Sequence, residues 1–254
     1  SGQYNTLLGY QAGTNLTTGS SNVLIGENAG SLEVDGENNV YIGKDTGKCA
    51  TSGEGNVFLG YLAGRGNASS GVTGEYSVAI GAGALTNLSS GSQNIALGND
   101  AGSNITTGAN NILLGKCAGF AIDQGQNHIM IGLDAGKAST GASYTNVYLG
   151  IYAGQNTTTG SFNFYGQNSA GGCQKTGCYN VALGVNALKG SSTINNNTAA
   201  NNVALGQGAG WCISSGVDNV ALGQSALGGA VLTGAKNVAL GCKAGTSITS
   251  ATSN

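Results

Sequence analysis

Asn94-Ile95-Ala96-Leu97-Gly98-Asn99-Asp100-Ala101-Gly102 is answered seventeen residues later by Asn111-Ile112-Leu113-Leu114-Gly115-Lys116-Cys117-Ala118-Gly119. The shared phrase is Asn, a β-branched residue, an apolar residue, Leu or Ile, then Gly, with Ala-Gly starting three positions on. Outward in both directions it recurs with closing glycines Gly9, Gly26, Gly43, Gly60, Gly81, Gly98, Gly115, Gly132, Gly150, Gly166, Gly184, Gly206, Gly223 and Gly241. The spacings are 17, 17, 17, 21, 17, 17, 17, 18, 16, 18, 22, 17 and 18. So short a period, filling the chain, implies stacked coils in place of one central core. The expectation is an all-β parallel β-solenoid or β-roll of about 14 coils, one continuous domain over residues 1–254.

Three columns of each unit carry the strand signal. The first, three residues before the closing Gly, reads Val or Ile in twelve units, and the third, one residue before it, reads Leu or Ile in every unit except at Tyr165, as in Val23 and Ile25. Residues two apart point to the same side of a strand. β-Branched enrichment between Gly and Asn punctuation is a strand signature, so each unit is expected to supply one strand of about four or five residues. The first and third columns then form the face turned to the core. The middle column is apolar too, running from Ala79 to Tyr41 and Phe58, and burial on both sides follows. Either a second layer of the same coil covers it or neighbouring chains do. Neighbouring chains are favoured, which assigns Leu7, Leu24, Tyr41, Phe58, Leu113, Met130, Tyr148 and Phe164 to the interface of an intertwined or side-by-side homotrimer.

Composition narrows the function. Glycine numbers 47 and proline 0, which excludes collagen. Hydrophobic residues make up 40% and charged residues 8%, a balance that disorder does not show. The net charge of −2 supplies no basic stripe for nucleic acid. Apolar runs of four or five residues insert no membrane span. The chain opens and closes near repeat boundaries, as a piece of a longer protein would.

Gly74-Glu75-Tyr76-Ser77-Val78-Ala79-Ile80-Gly81-Ala82-Gly83-Ala84 resembles the head repeat of trimeric autotransporter adhesins, the YadA-like family, and Gly234-Ala235-Lys236-Asn237-Val238-Ala239-Leu240-Gly241 is a second close match. The longer unit with a Thr-Thr-Gly tail, Ala101-Gly102 to Thr106-Thr107-Gly108, is similar to repeats of trimeric phage tail fibres. The resemblance implies a trimer of parallel β-coils serving as shaft or adhesive head, extracellular on a virion or bacterial surface. The period departs from that family's, seventeen here against about fourteen there.

Chemistry is sparse. The single histidine, His128, stands at an Asn position of the repeat and reads as a substitution there more readily than as a base or ligand. Glu27, Asp45, Asp100 and Asp134 follow turn glycines and read as solvated turn residues. No catalytic, metal or cofactor set is expected. Cys173 and Cys178 flank one loop and are candidates for a local disulfide in an extracellular protein. Tyr10, Tyr61, Phe120, Tyr152 and Trp211 follow turns and are candidates to stack on a sugar, although packing between coils or chains is the commoner use of such residues. The function expected is a structural or adhesive fibre segment that binds a host or prey cell-surface glycan or protein. The alternative is an ice-binding solenoid, set back because Asp35, Asp123-Gln124 and Leu232 interrupt the Thr columns.

Overall fold

The computed structural model describes residues 2–67, 69–140, 143–191 and 197–253. The fold is an all-β parallel solenoid, and its contacts divide it into two units, Ser1–Asn127 and His128–Asn254. The first holds β1 (Thr6–Leu8), β2 (Val23–Ile25), β3 (Val40–Ile42), β4 (Val57–Leu59), β5 (Val78–Ile80), β6 (Ile95–Leu97) and β7 (Ile112–Leu114). The second holds β8 (Ile129–Ile131), β9 (Val147–Leu149), β10 (Phe164–Gly166), β11 (Val181–Leu183), β12 (Val203–Leu205), β13 (Val220–Leu222) and β14 (Val238–Leu240). Within each unit every strand pairs in parallel with the next in sequence, column on column, as in Ile95↔Ile112, Ala96↔Leu113 and Leu97↔Leu114. The strands are three residues long, shorter than expected, because a turn begins at once on either side. No helix among the described residues is long and apolar enough to cross a membrane.

Hydrogen bonds run along the stack at every side of the coil. At the Ala-Gly corner Gly13 N–H donates to Ala29 O at 2.9 Å, and Gly64 N–H to Ala84 O at 2.8 Å. On the far side Thr17 N–H reaches Val34 O and Val34 N–H reaches Thr51 O, each at 3.0 Å. The close approach of successive coils explains the closing glycines. Gly98 has φ +137, and a Cβ there would come within 2.6 Å of Gly115 O. Only glycine meets both demands without strain.

Before every strand but β5 and β8, where Ser77 and His128 stand instead, an Asn forms a ladder that is buried from Asn22 onward. Asn39 donates its backbone N–H to Asn22 Oδ1 at 2.9 Å, while Asn39 Nδ2 donates to Gly53 O at 2.7 Å. The same pair of bonds recurs in the second unit, where Asn163 N–H meets Asn146 Oδ1 at 2.9 Å and Asn163 Nδ2 meets Gly177 O at 2.8 Å. Each bond is worth about 1 kcal/mol net, yet removing the side chain strands buried backbone groups at about 1–3 kcal/mol apiece.

The middle column, not the outer two, faces inward. Leu24, Tyr41, Phe58, Leu113, Met130 and Tyr148 have no exposed surface. The far wall of their own coil covers them, so the assignment of these six to an oligomer interface is corrected. The reason is size complementarity across a narrow coil. Tyr41 lies in the coil of Ala50, and Tyr148 in that of Thr157. Ala79 shares its coil with Leu88, Ala96 with Ile105, and Ala204 with Ile213, all buried. In these coils large faces small and small faces large, whereas Leu113 with Ile122 and Tyr165 with Gln174 pair two large residues. Leu85, Leu188 and Leu227 extend the rule. They replace the usual corner glycine in coils whose middle residue is Ala79, Ala182 or Ala221, and they are buried at φ near +50. A Cβ on Gly154, in the coil of Tyr148, would instead meet that ring at 2.6 Å. Leu7 occupies the same column but is 46% exposed in the first coil.

One coil is shifted from its sequence reading. β10 pairs Phe164↔Val147, Tyr165↔Tyr148 and Gly166↔Leu149. The turn residue equivalent to Gly150 is therefore Gln167, at φ 90, and Gly166 sits in the third column. Tyr165 is the buried middle residue and Phe164 faces out, 37% exposed. Phe164 leaves the middle column to which it was assigned.

Candidate functional site

With the middle column turned inward, the first and third columns form the outer face of each sheet. Ile42, Ile95, Leu97, Ile131 and Leu183 are each 37–38% exposed, and Val23, Val57, Ile112, Val203 and Val220 are half-buried between neighbours. Stacking covers their flanks and leaves their tips bare. The result in each unit is a regular sheet face carrying two aliphatic ladders. Soluble monomers rarely leave so long an apolar stripe uncovered. This face is the main candidate site, and it is the surface that the sequence reading had placed inside.

In the second unit the face is interrupted. Gly166 stands between Leu149 and Leu183 in the third column. An open cavity of about 580 Å³ occupies the gap, lined by Leu149, Phe164, Gly166, Gln167, Leu183 and Val185 among others.

The aromatics proposed for ligand contact do not gather into one platform. Tyr10 and Tyr61 are exposed and share a column three coils apart. Phe120 is half-buried at a different corner. Tyr152 and Trp211 occupy different columns of the second unit, and Lys189 Nζ lies 5.9 Å from the Trp211 ring centroid, a contact worth about 0.5–1 kcal/mol at an exposed site. Sequence reading missed a closer pair. Phe162 and Tyr179, both exposed, stack at 5.1 Å with planes 5° apart. Both adopt positive φ, 60° and 59°, a conformation that bulky residues rarely take. Their spacing of one repeat was the signal.

Cys173 and Cys178 are free thiols, which corrects the candidate disulfide. Different ladders hold them. Cys173 N–H donates to Lys189 O at 2.7 Å. Cys178 takes a position that is Ser in other coils: its Sγ accepts from Ser161 N–H at 3.3 Å, as Ser161 Oγ accepts from Tyr144 N–H at 3.1 Å.

His128 is a structural stand-in for Asn. Its Nδ1 accepts from Asn146 N–H at 3.2 Å, and its Nε2 lies 3.1 Å from Ser143 O. A ring nitrogen facing a backbone donor must be the acceptor, so the proton sits on Nε2 and is given to the carbonyl. Burial pulls its pKa down to about 4, the Ser143 carbonyl opposing. Glu33 is the converse case, a carboxyl in an apolar column with no exposed surface. Neither oxygen has a partner in hydrogen-bond geometry. Burial raises its pKa to about 7 against the weaker pull of the nearby Gly36 amide and Tyr41 hydroxyl. Among the described residues no group of three His, Cys, Asp or Glu gathers to hold a metal. Glu27, Asp45 and Asp134 pair with Lys44, Lys48 and Lys137 at 2.9, 2.9 and 3.3 Å, contacts of small energetic weight at a surface. The Thr column spends hydroxyls on the next coil, as in Thr17 Oγ1 to Val34 O at 3.2 Å.

Comparison with protein-family models, with curated proteins and with solved structures returns no match.

Proposed function

We propose that this chain is a structural segment of an extracellular fibre, on a virion or bacterial surface, whose solenoids assemble side by side as a homotrimer. One observation carries the reading: the outer face of the three-residue strands presents two unbroken aliphatic ladders through β2–β7. Such a face gains most by meeting an equally flat, equally apolar face, and another copy of the chain supplies one in register. The similarity of the Ser77-Val78-Ala79-Ile80-Gly81 phrase to trimeric adhesin heads supports the same arrangement. A cell-surface glycan or protein is the partner proposed for the assembled fibre, with the exposed corner aromatics as its contacts. No catalytic role is part of the proposal.

The test is the native mass. Light scattering of the folded protein is expected to give three times the 24.9 kDa of one chain. Replacing Ile95 and Leu97 together by Lys is expected to leave the circular dichroism of the solenoid in place and release monomer. A stable wild-type monomer would overturn the proposal, and thermal hysteresis from that monomer would establish the ice-binding alternative.

A further inference from the structure

Every strand but one carries Val, Ile or Thr in the first outward column and Leu or Ile in the third. β10 breaks both columns at once, in opposite directions: Phe164 is larger than the residues it aligns with and Gly166 is smaller. Backbone conformation does not ask for this glycine. Gly166 is absent from the positive-φ positions, whereas its neighbour Gln167 holds φ 90 without being glycine. The glycine has been displaced from the position that favours it to one where it makes room, and Leu183 Cδ2, 2.7 Å from where a Cβ would stand, leans over part of that room. Phe164 does not fill that space within its own chain, since it lines the open 580 Å³ cavity and remains 37% exposed.

We infer that Phe164 and Gly166 form a knob and a hole between copies of this chain, locking them parallel and in register at β10. The inference rests on the side-by-side assembly proposed above. About an axis parallel to the stack, rotation sets the first column of one copy against the third column of the next. Val then meets Leu at each ordinary coil. At β10 the Phe164 ring of one copy enters the gap over Gly166 of its neighbour, flanked by Leu149 and Leu183. Slippage by a single coil would drive Phe164 against a Leu and leave the cavity empty, so the pair fixes the register that uniform ladders leave open.

A double-mutant cycle read by sedimentation equilibrium tests this. Phe164→Val should weaken assembly about tenfold by emptying the hole, and Gly166→Leu about a hundredfold by filling it against the sister ring. The double variant F164V/G166L recreates the pattern of every neighbouring strand, so it is expected to fold and to assemble within about threefold of wild type. A photo-crosslinking phenylalanine analogue at position 164 should attach to the 149–184 segment of a sister chain. If wild type assembles but the two effects simply add, or the crosslink lands elsewhere, the knob and hole are overturned while the assembly stands. If native mass shows a small apolar molecule retained in the cavity, the knob and hole are likewise overturned. A monomeric wild type removes both readings.

Discussion

The two units share one coil template, and beside the buried tyrosines of both, each buries a titratable residue of another kind, Glu33 in one and His128 in the other, accommodated in opposite ways. In the unit 128–254, His128 replaces an Asn of the ladder and recovers both of its hydrogen bonds, one through each ring nitrogen. In the unit 1–127, Glu33 replaces a Leu or Ile of the core column and recovers none. Polarity of the substitute does not decide the outcome. What decides it is whether the template already aims backbone donors and acceptors at that position. A ladder site aims both; the core column aims no donor at Glu33 or at Gln174 Oε1, although Gln174 Nε2 there does reach Leu188 O and Ile213 O at 3.2 and 3.0 Å.

The sharpest way to break the comparison is to remove the mimicry. His128→Leu would strand the Asn146 N–H and the Ser143 carbonyl, a loss of about 4 kcal/mol if each buried group costs about 2. His128→Asn restores the ladder chemistry and should stay within about 1 kcal/mol of wild type. Hydrogen exchange at the Asn146 amide is the readout, because stability in a stacked array is local and a single melt would average it. Equal protection in both variants would show that the ring contributes bulk and nothing more.

Next in size are two pH dependences of opposite sign. The folded pKa of Glu33, about 7, lies above its ordinary 4.5. Its contribution is complete below pH 4.5 and is lost as pH rises through 7, about 3 kcal/mol at ~1.4 kcal/mol per unit. The folded pKa of His128, about 4, lies below its ordinary 6.5. Its contribution is complete above pH 6.5 and is lost as pH falls through 4, again about 3 kcal/mol. Exchange protection around β2 and β3 should therefore rise on acidification while that around β9 falls. Glu33→Leu, matching Leu88 in the same column, should flatten the first profile and leave the second unchanged. Parallel profiles in the two units would refute the comparison.

The repeat made the solenoid legible, since a seventeen-residue period outweighs any local propensity. Which side of the strand faces in was not legible from alternation alone. Alternation says that Val23 and Ile25 share a side, and it is silent on whether that side is wet. The missing signal was covariation within a coil: Ala79 with Leu88 against Tyr41 with Ala50 marks the middle column as the one packed across a narrow core. The uniform Val and Leu columns, which need no internal compensation, are the outer ones. The register of β10 was also open to reading. The closing residue stands four after the ladder Asn in every other coil that has one, so Asn163 points to Gln167. The pull of Gly166 as a turn residue hid it.

The smallest expected effect concerns substitution within a ladder that tolerates exchange, as His128 does on the buried side. Cys178 accepts from Ser161 N–H through sulfur where Ser161 accepts from Tyr144 N–H through oxygen. Cys178→Ser keeps that acceptor at the same place in the coil. Its effect on exchange protection at Ser161 should stay within about 0.5 kcal/mol. Because Cys173 and Cys178 are both free, adding a reductant should leave protection around β10 and β11 unchanged. A loss of protection on reduction would mean that a disulfide holds this corner after all, and that the Ser-like ladder is not what supports it.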